Sequence, residues 1–192
     1  MPDTNKIKYG IKNVTIFPAT IAANGSATYG EAISVPGAVS ISLDPQGDTT
    51  PFYADNIVYY QSVANNGYEG DLELAKVPDE VAIAILGMVE DKNDVLYEDA
   101  NAPVAHFGLA FQFEGDVHAK RHILYNCVAT RPSVSGTTKE DAIEPQTETL
   151  SITATTIYVA ALDKDVVKAS ATPSESTPYN AWFTTAYLPV AN

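Results

Sequence analysis

Cysteine is nearly absent from this sequence: Cys127 stands alone among 192 residues. It can close no intrachain disulfide and belongs to no cluster suited to structural zinc, which excludes a disulfide-stapled secreted scaffold and points to folding inside a cell. Long apolar runs are lacking too. The longest, Val81 to Leu86, is about a third of the ~20 residues that a bilayer core demands, so no membrane span is expected. Met1 to Lys12 carries Lys6, Lys8 and Lys12 without an apolar stretch and does not read as a signal peptide. Basic residues are scarce. Eleven Lys and Arg against 24 Asp and Glu leave a formal charge of -13, with the acids spread through the chain and densest in its middle third. Such a surface repels phosphate backbones, which argues against a nucleic-acid-binding role.

Reactive groups are thin. There is no Gly-x-Ser-x-Gly elbow, no Gly-rich loop ending in Gly-Lys-Ser/Thr and no Gly-x-Gly-x-x-Gly. His118 and His122 would share a helical face, but their flanks read as strand, where four residues span about 13 Å, too far for two ligands of one ion. His106 has no evident carboxylate or thiol companion. Asp91, Asn93, Asp94, Glu98 and Asp99 invite a calcium reading, yet the sixth position from Asp91 is Leu96 and the twelfth is Ala102, where an EF-hand loop needs glycine and a bidentate acid. Cys127, on an apolar-patterned strand, reads as a small core or interface hydrophobe. No catalytic residue, metal site or cofactor is expected, and the chain is not read as an enzyme.

What the sequence does have is period two. From His106 to Glu114 the odd positions are Phe107, Leu109, Phe111 and Phe113, as in a half-buried strand. With Gly115-Asp116 as the turn and Val117 to Thr130 as the return, this predicts a long antiparallel hairpin. Further strands are expected at Asn13 to Phe17, Val39 to Leu43, Ile57 to Val63, Tyr68 to Ala75 and Thr147 to Thr155. Turns are expected at Asn65-Asn66-Gly67 and Glu90 to Asp94, giving antiparallel meanders. Pro78-Asp79-Glu80 opens, and Gly87 closes, one short helix at about 79–87 whose Val81, Ala82, Ile85 and Leu86 share a face. Tyr179 to Tyr187 fits helical spacing but has strand-like composition. Asp44 to Asn56 and Arg131 to Pro145 read as loops. The first is too polar and proline-marked for a ladder, yet its Phe52 and Tyr53 suggest a contact surface.

Longer strings narrow the reading. Val39 to Asn56 (VSISLDPQGDTTPFYADN), Asn66 to Leu74 (NGYEGDLEL), Val77 to Glu80 (VPDE), His122 to Ser133 (HILYNCVATRPS), Thr137 to Leu150 (TTKEDAIEPQTETL) and Tyr179 to Phe183 (YNAWF) resemble, in order, the major tail protein family of long-tailed, non-contractile phages and prophages of Gram-positive bacteria. The resemblance covers almost the whole chain and is weakest over 156–178, a variable segment within a single 1–192 tail-tube domain. It implies a mainly β fold, an antiparallel β-sandwich with one short flanking helix. It also implies a structural virion subunit that assembles with itself, in the host cytoplasm, into stacked hexameric rings. The expected partners are further copies, a tape-measure protein in the lumen, and terminator and distal tail proteins, with DNA passing unbound and no membrane contact. In this reading an acidic lumen keeps the DNA moving, and the few Lys and Arg sit at interfaces. The candidate subunit-contact loop is 44–56, with Asp44, Pro45, Gln46, Phe52, Tyr53 and Asp55. The hairpin from Phe107 to Cys127 is the candidate lumen-lining or ring-closing element. The alternative is a β-sandwich binding or adhesion module for a carbohydrate or other ligand, using the eleven tyrosines and one tryptophan to stack on it.

Overall fold

In the computed structural model, residues 7–115, 119–138, 145–173 and 177–191 are described. Strands follow one another as β1 (Ile11–Ile21), β2 (Ala27–Tyr29), β3 (Ile33–Ser34), β4 (Ala38–Gln46), β5 (Thr49–Ala54), β6 (Ile57–Val63) and β7 (Gly67–Leu74). Helix α1 (Asp79–Leu86) leads to β8 (Met88–Glu90), β9 (Leu96–Glu98), β10 (His106–Phe113), β11 (Arg121–Ala129) and β12 (Glu148–Thr155). The chain closes with β13 (Ile157–Val159), β14 (Lys164–Val166), β15 (Lys168–Ala171) and a four-residue helix α2 (Thr177–Asn180). The fold is mainly β with antiparallel pairing throughout, as the alternating patterns require.

Nine strands form one sheet whose main path is β2-β1-β10-β11-β12-β7-β4, with β3 beside β1 and β15 beside β11. The sheet curls. Leu72, Leu74, Leu150 and Ile152 from one half meet Val14, Ile16, Phe107 and Leu109 from the other in a single apolar cluster, and β4 comes beside β1. Helix α1 packs Val81, Ala82 and Ile85 into this first core. It begins after Pro78 with Asp79 and Glu80 in its first turn, and ends at Gly87, which is left-handed at φ 73° and donates its N–H to the Ala82 carbonyl.

A second core covers the opposite face. Phe17, Ala110, Ile123 and Tyr125 meet Ile157, Val159 and Trp182 there. This corrects the half-buried reading of 106–114: β10 is buried on both faces, because Trp182 of the C-terminal segment joins Ala110 in this second core and the Tyr29 ring lies beside Gly108. That segment, Tyr179 to Tyr187, is neither a long helix nor a strand but α2 followed by turns. Side chains hold it. The Trp182 indole N–H donates to the His122 carbonyl at 3.1 Å, the Tyr179 hydroxyl donates to the Ala119 carbonyl at 2.8 Å, and the Arg121 guanidinium lies over the Tyr179 and Phe183 rings. The 156–178 segment, expected to be variable, supplies Ile157 and Val159 to this core.

Two further expectations change. Asn65-Asn66-Gly67 is no hairpin turn, since β6 and β7 do not pair with each other. They are successive parts of one limb, facing β5 and β4 across a long hairpin. Asp44 to Asn56 is no loop. Residues 44–46 finish β4, with Pro45 opposite Tyr68, and 49–54 form β5. Both prolines escape the usual penalty because β4 ends the sheet and β5 belongs to a two-stranded ribbon, so each has an edge where no N–H is needed. Glu90 to Asp94 does turn between β8 and β9. Of the Arg131 to Pro145 loop, 131–138 carries no regular structure, while 139–144 lies outside the described residues.

Candidate functional site

The long hairpin from β4 to β7 has two halves of opposite character. Its inner half, β4 against β7, belongs to the curled sheet, whereas its outer half, β5 against β6, pairs only with itself. Between them the limbs stay bonded: Asn66 N–H donates to the Gln46 carbonyl at 2.9 Å and Ala64 N–H to the Asp48 carbonyl at 3.0 Å. The joint is tight. A Cβ on Gly47 would collide with the Ala64 carbonyl oxygen, so glycine is required for the limbs to approach.

Beyond this joint the arm runs about 20 Å, the length of a six-residue strand. Ala54 pairs with Ile57, which leaves Asp55 and Asn56 as a two-residue tip with φ of 51° and 62°. This is the backbone of a type I′ turn, and Asp and Asn tolerate it better than most side chains. A bulge between Phe52 and Tyr53 adds Tyr59 as the extra residue of β6.

Register decides what the arm presents. Directly opposed residues share a face, so Phe52, Tyr60, Ala54 and Ile57 lie on one side and Pro51, Tyr53, Val58 and Val63 on the other. Both sides are apolar. Neither is covered by the described residues, for Val63 is 73 % and Tyr59 72 % exposed, and Phe52, Tyr53, Ile57 and Tyr60 are all above half. Leaving seven large apolar side chains in water forgoes on the order of 10 kcal/mol relative to burying them. An isolated ribbon of two strands is marginally stable at best, and exposed apolar faces of this extent are of the kind that interaction surfaces present.

The six expected contact residues therefore separate into two groups. Asp44, Pro45 and Gln46 sit on edge strand β4, while Phe52, Tyr53 and Asp55 are on the arm, and all six are exposed. Tyr59, Tyr60, Ile57 and Val63 complete the surface, which sequence reasoning missed by assigning 57–63 to the sheet. The signal that would have found it is Asp55-Asn56, a hairpin dipeptide between two β-branched and aromatic runs.

The hairpin expected to line a lumen or close a ring lies inside this chain's own sheet. β10 lies between β1 and β11, β11 lies between β10 and β12 with β15, and Phe107, Leu109, Tyr125 and Cys127 are fully buried. It is a core hairpin. A different face is acidic and hydroxyl-rich: the outer side of β4, β7 and β12 bears Asp44, Glu69, Asp71 and Glu73 among Ser40, Ser42, Thr149, Ser151 and Thr153. Hydroxyls donate to these carboxylates, Ser151 to Asp71 at 2.7 Å, and Thr147 at 2.7 Å and Ser40 at 2.8 Å to Glu73. Those two donors, Thr147 foremost, hold the Glu73 carboxyl below its usual range.

The chemistry weighed in sequence takes bland places. Asp91 accepts from the N–H groups of Asn93 at 2.8 Å and Val95 at 3.0 Å, and these bonds, that from Val95 foremost, lower its pKa as they pin the β8–β9 turn. His122 stacks on Phe111 at 5.3 Å, His106 Nδ1 lies 2.8 Å from the Asn126 side-chain oxygen, and His118 lies outside the described residues. Burial pushes the Cys127 thiol well above its ordinary pKa, the opposite of a reactive thiolate. Among the described residues no group of three or more His, Cys, Asp and Glu is placed to hold a metal, and no helix is long and apolar enough to cross a membrane. No protein-family model and no curated protein matches the chain.

Proposed function

We propose that this chain is a structural virion protein, the major tail subunit that assembles with itself into stacked, hexameric rings forming a tube for DNA passage. One observation carries the reading. The arm of β5 and β6 is apolar on both faces and exposed on both, so it is built to enter an interface that a single chain does not contain. The ordered resemblance of strings from Val39 to Phe183 names the kind of assembly. The acidic, hydroxyl-rich face of β4, β7 and β12 supports it further. It offers a passing phosphate backbone repulsion and hydration in place of contacts that would act as brakes, and we assign it to the lumen. Tape-measure, terminator and distal tail proteins are the expected partners, the phage tail the expected location and the host cytoplasm the place of assembly.

Negative-stain microscopy with light scattering of the concentrated protein tests this. Rings or hollow tubes are expected. A Thr153→Cys variant then tests the lumen, since Cys127 is buried and gives no background. In tubes, the thiol introduced by this substitution should react with a small maleimide but not with a maleimide on a large polymer. A mass that remains that of one chain, even with tail-tip and tape-measure proteins added, would favour the binding or adhesion module.

A further inference from the structure

Where the two halves of the curled sheet part, the first core is open at one end. The opening is a groove of about 210 Å³ floored by half-buried Ile41, Leu43, Tyr68 and Phe113. Its rim is basic. Lys8 lies over the Phe113 ring at 5.0 Å and Lys168 over the Tyr68 ring at 4.3 Å; both are exposed, and neither forms an ion pair among the described residues. No carboxylate among the described residues lines it. That is unusual in a chain where acids outnumber Lys and Arg by 24 to 11.

The arm is the complement. Its fifteen residues, 49–63, hold no base and one acid, Asp55, placed at the tip among Phe52, Ile57 and Tyr60. We propose that the tip of the arm of one copy docks in this groove of the next, its apolar side chains on Ile41, Leu43, Tyr68 and Phe113 and the Asp55 carboxylate between Lys8 and Lys168. The inference rests on the assembly reading above and supplies its contact. The groove lies at the root of the arm, on β4 and β7, so knob and socket are separated along one long hairpin. Such a contact is heterologous: each copy offers a free groove to the next, and the chain of contacts closes into a ring or runs on as a fibre.

Cross-linking of assembled protein tests this. A mixture of Ala54→Cys and Ser170→Cys subunits, treated with a short bismaleimide, should give cross-linked pairs that neither variant gives alone, Ser170 being an exposed position opposite His122 at the groove and outside the pair of Lys8 and Lys168. A chain carrying both cysteines should give a ladder beyond the dimer. Asp55→Lys should lower the cross-link yield about tenfold, and Lys8→Glu in the groove partner should recover most of it. All these positions are exposed or at the arm, and thermal melts of the monomers verify folding.

Rings or tubes that form without this cross-link would overturn the docking and leave the assembly reading standing. A ladder that stops at the dimer would replace the head-to-tail contact with a reciprocal one. Cross-links that appear only after removal of residues 1–6 would give the groove to that segment. A chain monomeric under every condition overturns both readings.

Discussion

The hairpin of β10 and β11 and the arm of β5 and β6 are written in the same vocabulary, alternating aromatics and β-branched residues around a turn, and meet opposite fates. In the first, Phe107, Leu109, Ile123 and Tyr125 are fully buried, because strands pair on both edges and a core lies on each face. In the second, Phe52, Tyr53, Tyr59 and Tyr60 are exposed, because Gly47 and Ala64 carry the ribbon past the end of the sheet. Local pattern makes a strand, but topology decides whether the strand has anything to cover it. The body satisfies its apolar surface within one chain. The arm, among the described residues, does not.

The comparison is broken most forcefully from the body side. Trp182 is 2 % exposed, stacks on Tyr187 at 5.3 Å and joins the C-terminal segment to β11 through its indole N–H. Trp182→Ala should lower monomer stability by about 3–5 kcal/mol, read from denaturant midpoints. A matched pair of glycines gives the next effect. A Cβ on Gly70 would strike the Ser42 carbonyl within the sheet, just as one on Gly47 would strike Ala64 at the joint. Gly70→Ala should cost about 2–3 kcal/mol, while Gly47→Ala should leave the midpoint almost unmoved yet impair assembly. Equal losses would mean that the arm folds as part of the body.

Much of this was legible in the sequence. The strand patterns predicted β1, β4, β6, β7, β10, β11 and β12 but not β2, β3, β5 or β13 to β15, and Pro78, Asp79, Glu80 and Gly87 placed the helix within a residue of its observed ends. The long hairpin was not, because Asn65-Asn66-Gly67 has the composition of a turn. Only the facing Gln46 and Asp48 carbonyls, distant in sequence, show that it stays in register. The second core was missed for a related reason. Small residues at even positions of β10 look like a solvent face until Trp182, far along the chain, packs near Ala110. The contact region at 44–56 was found by its aromatics but misread as loop, so its better half, 57–63, went to the sheet.

Alkaline pH separates the regions by about 1 kcal/mol. Burial raises the Cys127 thiol pKa, and Tyr29 and Tyr125 are raised for the same leading reason. A raised folded pKa means that the neutral form is favoured by folding, so this stability is whole below the unfolded-state pKa and lost as pH rises above it. For the thiol the loss begins near pH 8.5, and for the tyrosines near pH 10. Midpoints measured from pH 7 to 10 should fall. Cys127→Ala should start about 1 kcal/mol lower and decline less between pH 8.5 and 10. An unchanged slope would mean that the thiol is reachable in the native state.

The smallest effect on the monomer is the most informative. Phe52→Ala with Tyr53→Ala removes two rings that lie on opposite faces of the arm, touch neither core and are 60 % and 63 % exposed. With neither core packed on them among the described residues, their loss should move the denaturant midpoint by less than about 0.5 kcal/mol. In an assembly both would be buried, each worth roughly 1.5–3 kcal/mol per contact, and those contacts repeat around a ring. Polymerisation followed by light scattering should therefore fail at concentrations where the unaltered chain assembles. If the double variant unfolds, the arm folds back on the body and the contrast between the two hairpins disappears. If it assembles normally, the exposed rings are not the interface, and the edge strand β4, with Asp44, Pro45 and Gln46, becomes the surface through which copies meet.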